Sequence, residues 1–159
     1  MKNSALVACF FLFASVECSA KDPGTISDRE LTVGGVALGD TEQSVVARLG
    51  KPIRRIDTGE GMRLEYRGLT VWVGYLEQAK PGVPRRTFEL LSTSKRHCTP
   101  SGVCPGIAFD KVRAKHGAPL VADREDGQFM EYPSYESQCW LQISVKAGII
   151  QSVRAECQP

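Results

Sequence analysis

The chain has 159 residues, 42% hydrophobic, 24% charged and 8% aromatic, with a formal net charge of +2. That length suits one compact domain or two small ones, and the composition excludes collagen-like, coiled-coil and wholly disordered classes. A pI near 8.2 without a clustered basic excess argues against a dedicated nucleic-acid binder, so no nucleic-acid partner is expected.

The chain opens on an export signal. Lys2 precedes an apolar run over 5–16, and Cys18-Ser19-Ala20 places small residues where a signal peptidase cuts, so cleavage is expected after Ala20. The run is too short to span a bilayer comfortably, and no later stretch is long and apolar enough for stable membrane insertion. A lipid anchor is not expected either. Leu6-Val7-Ala8-Cys9 comes before the apolar run ends, and Cys18 follows Glu17, where a lipobox needs a small residue.

Residues 21–32 read as a polar lead-in. Beyond it the chain partly repeats at an offset of 67: Gly35, Val36, Gly39, Val45, Ala47, Gly50 and Pro52 match Gly102, Val103, Gly106, Val112, Ala114, Gly117 and Pro119. Gly50 and Gly117 stand where a helix ends, and the prolines follow where it cannot continue. The units are 33–96 and 97–159. In the first, Asp40 or Thr41 caps a short helix carrying Val45, Val46 and Leu49. Strands follow at 62–66, 69–76 and 87–91, with a long loop at 77–86. In the second, a helix over 107–116 precedes strands at 120–122, 129–132, 139–145 and 149–157. The expected fold is α+β: two tandem units of a helix and an antiparallel meander, with helices packed on one face of the sheet.

Gly-Val-x-x-Gly, a short helix with an internal Val, Gly-x-Pro and a meander together resemble two groups. One is the outer-membrane assembly lipoproteins of the BamE (SmpA/OmlA) type; the other is the tandem-repeat beta-lactamase inhibitory proteins. The resemblance covers about 33–157 and implies this architecture. The chain differs from the assembly lipoproteins in lacking a lipobox and in carrying two units.

Four cysteines lie beyond the leader, Cys98, Cys104, Cys139 and Cys157, an even count that reads as two disulfides in an exported chain. A hairpin turn centred on Gly148 sets Cys139 opposite Cys157, leaving Cys98 and Cys104 to close a short loop.

Catalytic signatures are missing: there is no Gly-x-Ser-x-Gly, no His-Glu-x-x-His and no phosphate-binding Gly-rich loop. His97, Cys98, Cys104 and His116 match no standard zinc spacing, and oxidation competes for the thiols, so no metal or cofactor is expected. His116 suits the carboxyl end of its helix. Asp123, Glu125 and Asp126 resemble paired glycosidase carboxylates but read more simply as a hairpin turn, because Asp126-Gly127 favours one. The basic doublets Arg54-Arg55, Arg85-Arg86 and Lys95-Arg96 either steer an acidic partner or form a solvated surface.

Strand alternation carries the stronger signal. Leu69, Val71, Val73 and Tyr75 share one face, with Thr70, Trp72 and Gly74 on the other. Cys139, Leu141, Ile143 and Val145 likewise oppose Trp140, Gln142 and Ser144. With helices on the apolar face, Trp72 and Trp140 line an open face, joined by Tyr66, Tyr132 and Tyr135 as partner-binding candidates. The expectation is a periplasmic or secreted, non-enzymatic protein that binds another protein there, as inhibitor, immunity-type protein or envelope assembly factor. The alternatives are a small exported hydrolase using His116 or Asp126, and a structural envelope protein.

Overall fold

The computed structural model describes residues 23–59, 61–75, 82–125 and 127–157. The expected export signal, 1–20, lies outside them, as does Asp126. A 3₁₀ turn (Asp28–Leu31) leads into a small hairpin of β1 (Thr32–Val33) and β2 (Val36–Ala37). Helix α1 (Glu42–Leu49) follows, then β3 (Arg54–Asp57), β4 (Gly61–Tyr66), β5 (Leu69–Gly74) and β6 (Arg86–Ser92). Helix α2 (Phe109–His116) precedes β7 (Leu120–Arg124), β8 (Gly127–Pro133), β9 (Cys139–Lys146) and β10 (Ile149–Cys157). A helix followed by four strands therefore occurs twice, and the molecule is α+β.

All eight long strands form one antiparallel sheet in the order β3-β4-β5-β6-β10-β9-β8-β7. The last strand of each set, β6 and β10, pair at its centre. One face is apolar: Leu64, Leu69, Val71, Val73, Leu90, Tyr132, Leu141, Ile143, Val153 and Ala155 are buried there. Val45 of α1 and Phe109 and Val112 of α2 belong to the same core. The helix ends are tied to this face by tyrosines, Tyr66 donating to the Gly50 carbonyl (3.3 Å) and Tyr132 to the Gly117 carbonyl (3.1 Å).

Residues 23–32 are packed into the fold. Ile26 and Leu31 are each 2% exposed, and Ile26 N–H donates to the Pro133 carbonyl (3.0 Å), so this segment closes the core beside β8. Strand β3 escapes the sequence reading because Arg54-Arg55-Ile56-Asp57 has no apolar alternation. It is an edge strand held by β4, and Arg55 pairs with Glu42 at the start of α1.

Both disulfides form as the spacing suggests, Cys98 with Cys104 and Cys139 with Cys157. The β9–β10 turn is the two residues Ala147 and Gly148, at φ 51° and 75°, as a tight hairpin turn requires. That turn alone would set Cys139 against Glu156. A bulge between Ile150 and Ser152 shifts the register by one and brings Cys157 opposite Cys139. Two disulfides belong to an oxidising compartment, so this is an exported protein.

The two helices differ at their starts. Thr41 Oγ1 accepts from the Ser44 N–H (3.2 Å), whereas Ala108, at the matching place before α2, has no side-chain cap. Thr41→Ala should lower unfolding free energy by about 1 kcal/mol, and Ala108→Thr should raise it by a similar amount, read by urea denaturation.

Candidate functional site

The face away from the helices is built from the alternate residues of the same strands. Register places one row straight across it: Arg63 of β4, Trp72 of β5, Glu89 of β6, Glu156 of β10, Trp140 of β9 and Pro133 of β8. The next row runs Glu65, Thr70, Leu91, Arg154, Gln142 and Glu131. Two tryptophans thus flank a pair of carboxylates at the centre of the sheet.

Like charges directly opposite in a sheet are unfavourable, so the pair needs compensation. Arg154 supplies it, with Nε 3.5 Å from Glu89 and Nη1 3.9 Å from Glu156. Trp140 Nε1 donates to Glu156 Oε1 (2.9 Å), which fixes the indole. The remaining charges alternate: Arg63 pairs with Glu65 (3.0 Å) and Arg124 with Glu131 (2.8 Å). Burial raises the Glu89 pKa, Arg154 opposes the rise, and Glu156 adds to it.

Of the residues singled out from sequence, Trp72 and Trp140 lie on this open face and are partly buried. Tyr132 does not. It is fully buried opposite Leu141 on the helix-facing side, its ring edge against His116 at 5.8 Å. Burial pushes its hydroxyl up to about 12, with Arg113 pulling the other way. Tyr66, opposite Leu69, is also on the helix side and packs against the core. Tyr135 is 67% exposed in the β8–β9 connection, away from the row. Glu89 and Glu156 went unnoticed in sequence, although they too stand 67 residues apart, the offset of the internal matches.

Two of the basic doublets serve the fold. Arg55 and Arg85 both pair with Glu42, and Arg86 donates to the Gly39 carbonyl (2.9 Å). In the acidic stretch, Asp123 accepts from Gln128 across the β7–β8 hairpin (3.2 Å). His97 Nε2 meets the Arg67 carbonyl at 3.1 Å. Among the described residues no three His, Cys, Asp or Glu side chains converge as a metal site.

A second polar cluster sits in the loop closed by Cys98 and Cys104. Ser101 Oγ lies 3.1 Å from His116 Nε2, and Glu30 Oε2 accepts from Thr99 Oγ1 (2.9 Å) and the Ser101 N–H (3.3 Å). Burial lowers the His116 pKa, Glu30 opposes this and Lys115 adds to it, which favours the neutral imidazole. The loop amides are committed, however. Ser101 N–H serves Glu30, Gly102 N–H the Thr99 carbonyl and Val103 N–H the Thr99 hydroxyl, so no oxyanion-binding pair is preformed there.

No family model and no curated protein matches the chain. Solved structures resemble it in shape. A DUF4309-family protein of Bacillus subtilis superposes with a TM-score of 0.52 at 13% identity, covering 78% of this chain and 83% of that one. An extracellular SCP-domain protein of Bacillus anthracis gives 0.47 at 14% identity, covering 87% of this chain and 49% of that one. A cysteine-rich secretory protein of Staphylococcus aureus gives 0.43 at 12%, covering 76% and 44%. The chain therefore spans about half the length of the Bacillus anthracis protein, and the likeness to the DUF4309 protein is one of fold.

The raised Glu89 pKa has a consequence for stability. The folded chain holds that proton more tightly than the unfolded chain. The resulting stabilisation is full below the ordinary value of 4.5 and is lost as pH rises through the folded value. Glu89→Gln should therefore raise stability at neutral pH, with the gain shrinking as pH falls through that window, measured by urea denaturation across the range.

Proposed function

We propose that this is a non-enzymatic binding protein of the periplasm or extracellular medium. It captures another protein on the open sheet face, as inhibitor, immunity-type protein or assembly factor. The observation that carries the reading is the row Trp72–Glu89–Glu156–Trp140 at the centre of an eight-stranded sheet, on the face away from the helices, with both tryptophans partly exposed. Tryptophans on fixed strands lose little freedom on binding and dominate interface energies. The arginine–glutamate lattice around them offers many charges but little net charge, an arrangement suited to orientation and partner choice more than to long-range attraction. The motif resemblance to tandem inhibitory proteins and to assembly lipoproteins fits this use of the fold.

The test begins with capture by the mature, oxidised protein from the native envelope and culture fluid, followed by titration with the purified partner. Trp72→Ala is expected to weaken binding by about 2 kcal/mol, roughly thirtyfold in Kd, with thermal unfolding little changed. Glu89→Gln should weaken binding while stabilising the free protein. Unchanged affinity in both variants would remove the open face from the interaction.

The Ser101–His116 pair is the specific observation that favours hydrolysis as a second reading. That reading expects an ester- or amide-cleaving activity lost in Ser101→Ala with partner capture intact.

A further inference from the structure

A cavity of about 310 Å³ opens on the uncovered face beside Trp140, at the β7–β8–β9 end of the sheet. Leu120 and Pro133 give it apolar walls, and Trp140, Arg124 and Glu131 also line it. Its volume lies within the range of small-ligand sites. The Trp140 ring is tethered from the β10 side by its bond to Glu156, whereas the cavity lies on the β8 side.

Glu131 is 7% exposed and firmly held. Its Oε1 accepts from Arg124 Nε (3.1 Å), Arg124 Nη2 (2.8 Å) and Gln142 Nε2 (2.9 Å). Among the described residues its Oε2 accepts from Arg124 Nη2 alone (3.0 Å), and a carboxylate oxygen has capacity for another donor. The Arg124 guanidinium lies over the Trp140 ring, 6.0 Å from its centre, so a ligand in the cavity meets the indole beside this guanidinium. Arginine and glutamate cancel here. A cationic ligand would meet the guanidinium and an anionic one the carboxylate, each at a desolvation cost. A neutral ligand with hydroxyl donors and an apolar face meets neither penalty.

We propose that this cavity binds a neutral saccharide ring, its C–H face on the Trp140 indole and one hydroxyl donating to Glu131 Oε2. Ser137, also on the lining, donates its hydroxyl to Asp28 (2.6 Å) and can serve a ligand as an acceptor. This adds a ligand class to the binding reading: the cavity shares Trp140 with the central row, while Glu89 and Glu156 lie outside its lining.

Trp72→Phe leaves Trp140 as the sole tryptophan of the mature protein, and its emission can be followed during titration. The probes are glucose, N-acetylglucosamine and the β-1,4-linked N-acetylglucosamine disaccharide. A saturable change with at least one of them, in the millimolar range or tighter, is the expected result. Glu131→Gln on this background should weaken binding roughly tenfold by removing the charged acceptor. Leu120→Arg, on an edge strand where Leu120 is 42% exposed, fills the cavity without touching the core and should also weaken binding by about tenfold or more. No saturable response to any of the three sugars would overturn the proposal, as would undiminished binding in Leu120→Arg. Tighter binding of glucosamine or glucuronic acid than of glucose would overturn the argument from neutrality. Partner capture by Leu120→Arg reports separately on the central row.

Discussion

The register of β6 against β10 decides both faces of the sheet at once. Leu90 opposite Ala155 and Ser92 opposite Val153 seat the centre of the core, which forces Glu89 opposite Glu156 on the other side. A slip of β6 by one residue against β10 would turn Leu90 out to solvent and send Glu89 inward beside Ala155. Burying one leucine contributes about 1.5–3 kcal/mol, whereas a like-charged pair on a solvated face costs a few tenths to about 1 kcal/mol. Core burial wins, and the carboxylates are held together by an argument made on the opposite side of the sheet. The candidate site is thus a by-product of the core register, and any partner meets it preformed.

Arg154 is what makes that arrangement tolerable. It lies in the row next to the pair and approaches both carboxylates, while Gln142 and Leu91 stand either side of it across the sheet. Salt would screen an exposed ion pair of this kind, but Glu89 is shielded enough for burial to raise its pKa. A docking surface that excluded water would sharpen both effects: attraction to Arg154 would strengthen, and the pair's mutual repulsion would demand a donor from the partner. Discrimination follows from that demand, since two carboxylates share the Arg154 guanidinium and a partner without the donor would bury them both around it.

Much of this was legible in sequence where period and turn chemistry acted alone. Gly50 and Gly117 ended their helices, alternation put Trp72 and Trp140 opposite the apolar rows, and β10 spans 149–157 as read. The cysteine pairing also emerged, though a symmetric count about Gly148 worked only because the bulge after Ile150 offsets the two-residue turn. Tertiary contacts hid the rest. Tyr132 sits in Phe129-Met130-Glu131-Tyr132, where neither alternate set is clearly polar, and only its pairing with Leu141 settles its side. Strand β3 exists because β4 offers an unpaired edge and Glu42 holds Arg55, neither of which leaves a local mark on Arg54-Arg55-Ile56-Asp57. Glu89 and Glu156 carried a readable sign, the shared offset, but their meaning comes from strands brought together at the sheet centre.

The central row is nearly symmetric, yet its ends are not. Trp72 has Arg63 across from it on β4, whereas Trp140 has Pro133 on β8. Proline carries no charge and no long side chain, so the Trp140 end opens into a cavity where the other end presents a guanidinium paired with Glu65. A row read from its middle would let a ligand bind in either direction. Unequal ends remove that ambiguity, because a group that fills the space beside Pro133 would collide with the Arg63–Glu65 pair if reversed. Two equivalent sets of strands therefore supply a rigid, paired centre, and a single difference in side-chain bulk gives that centre a direction.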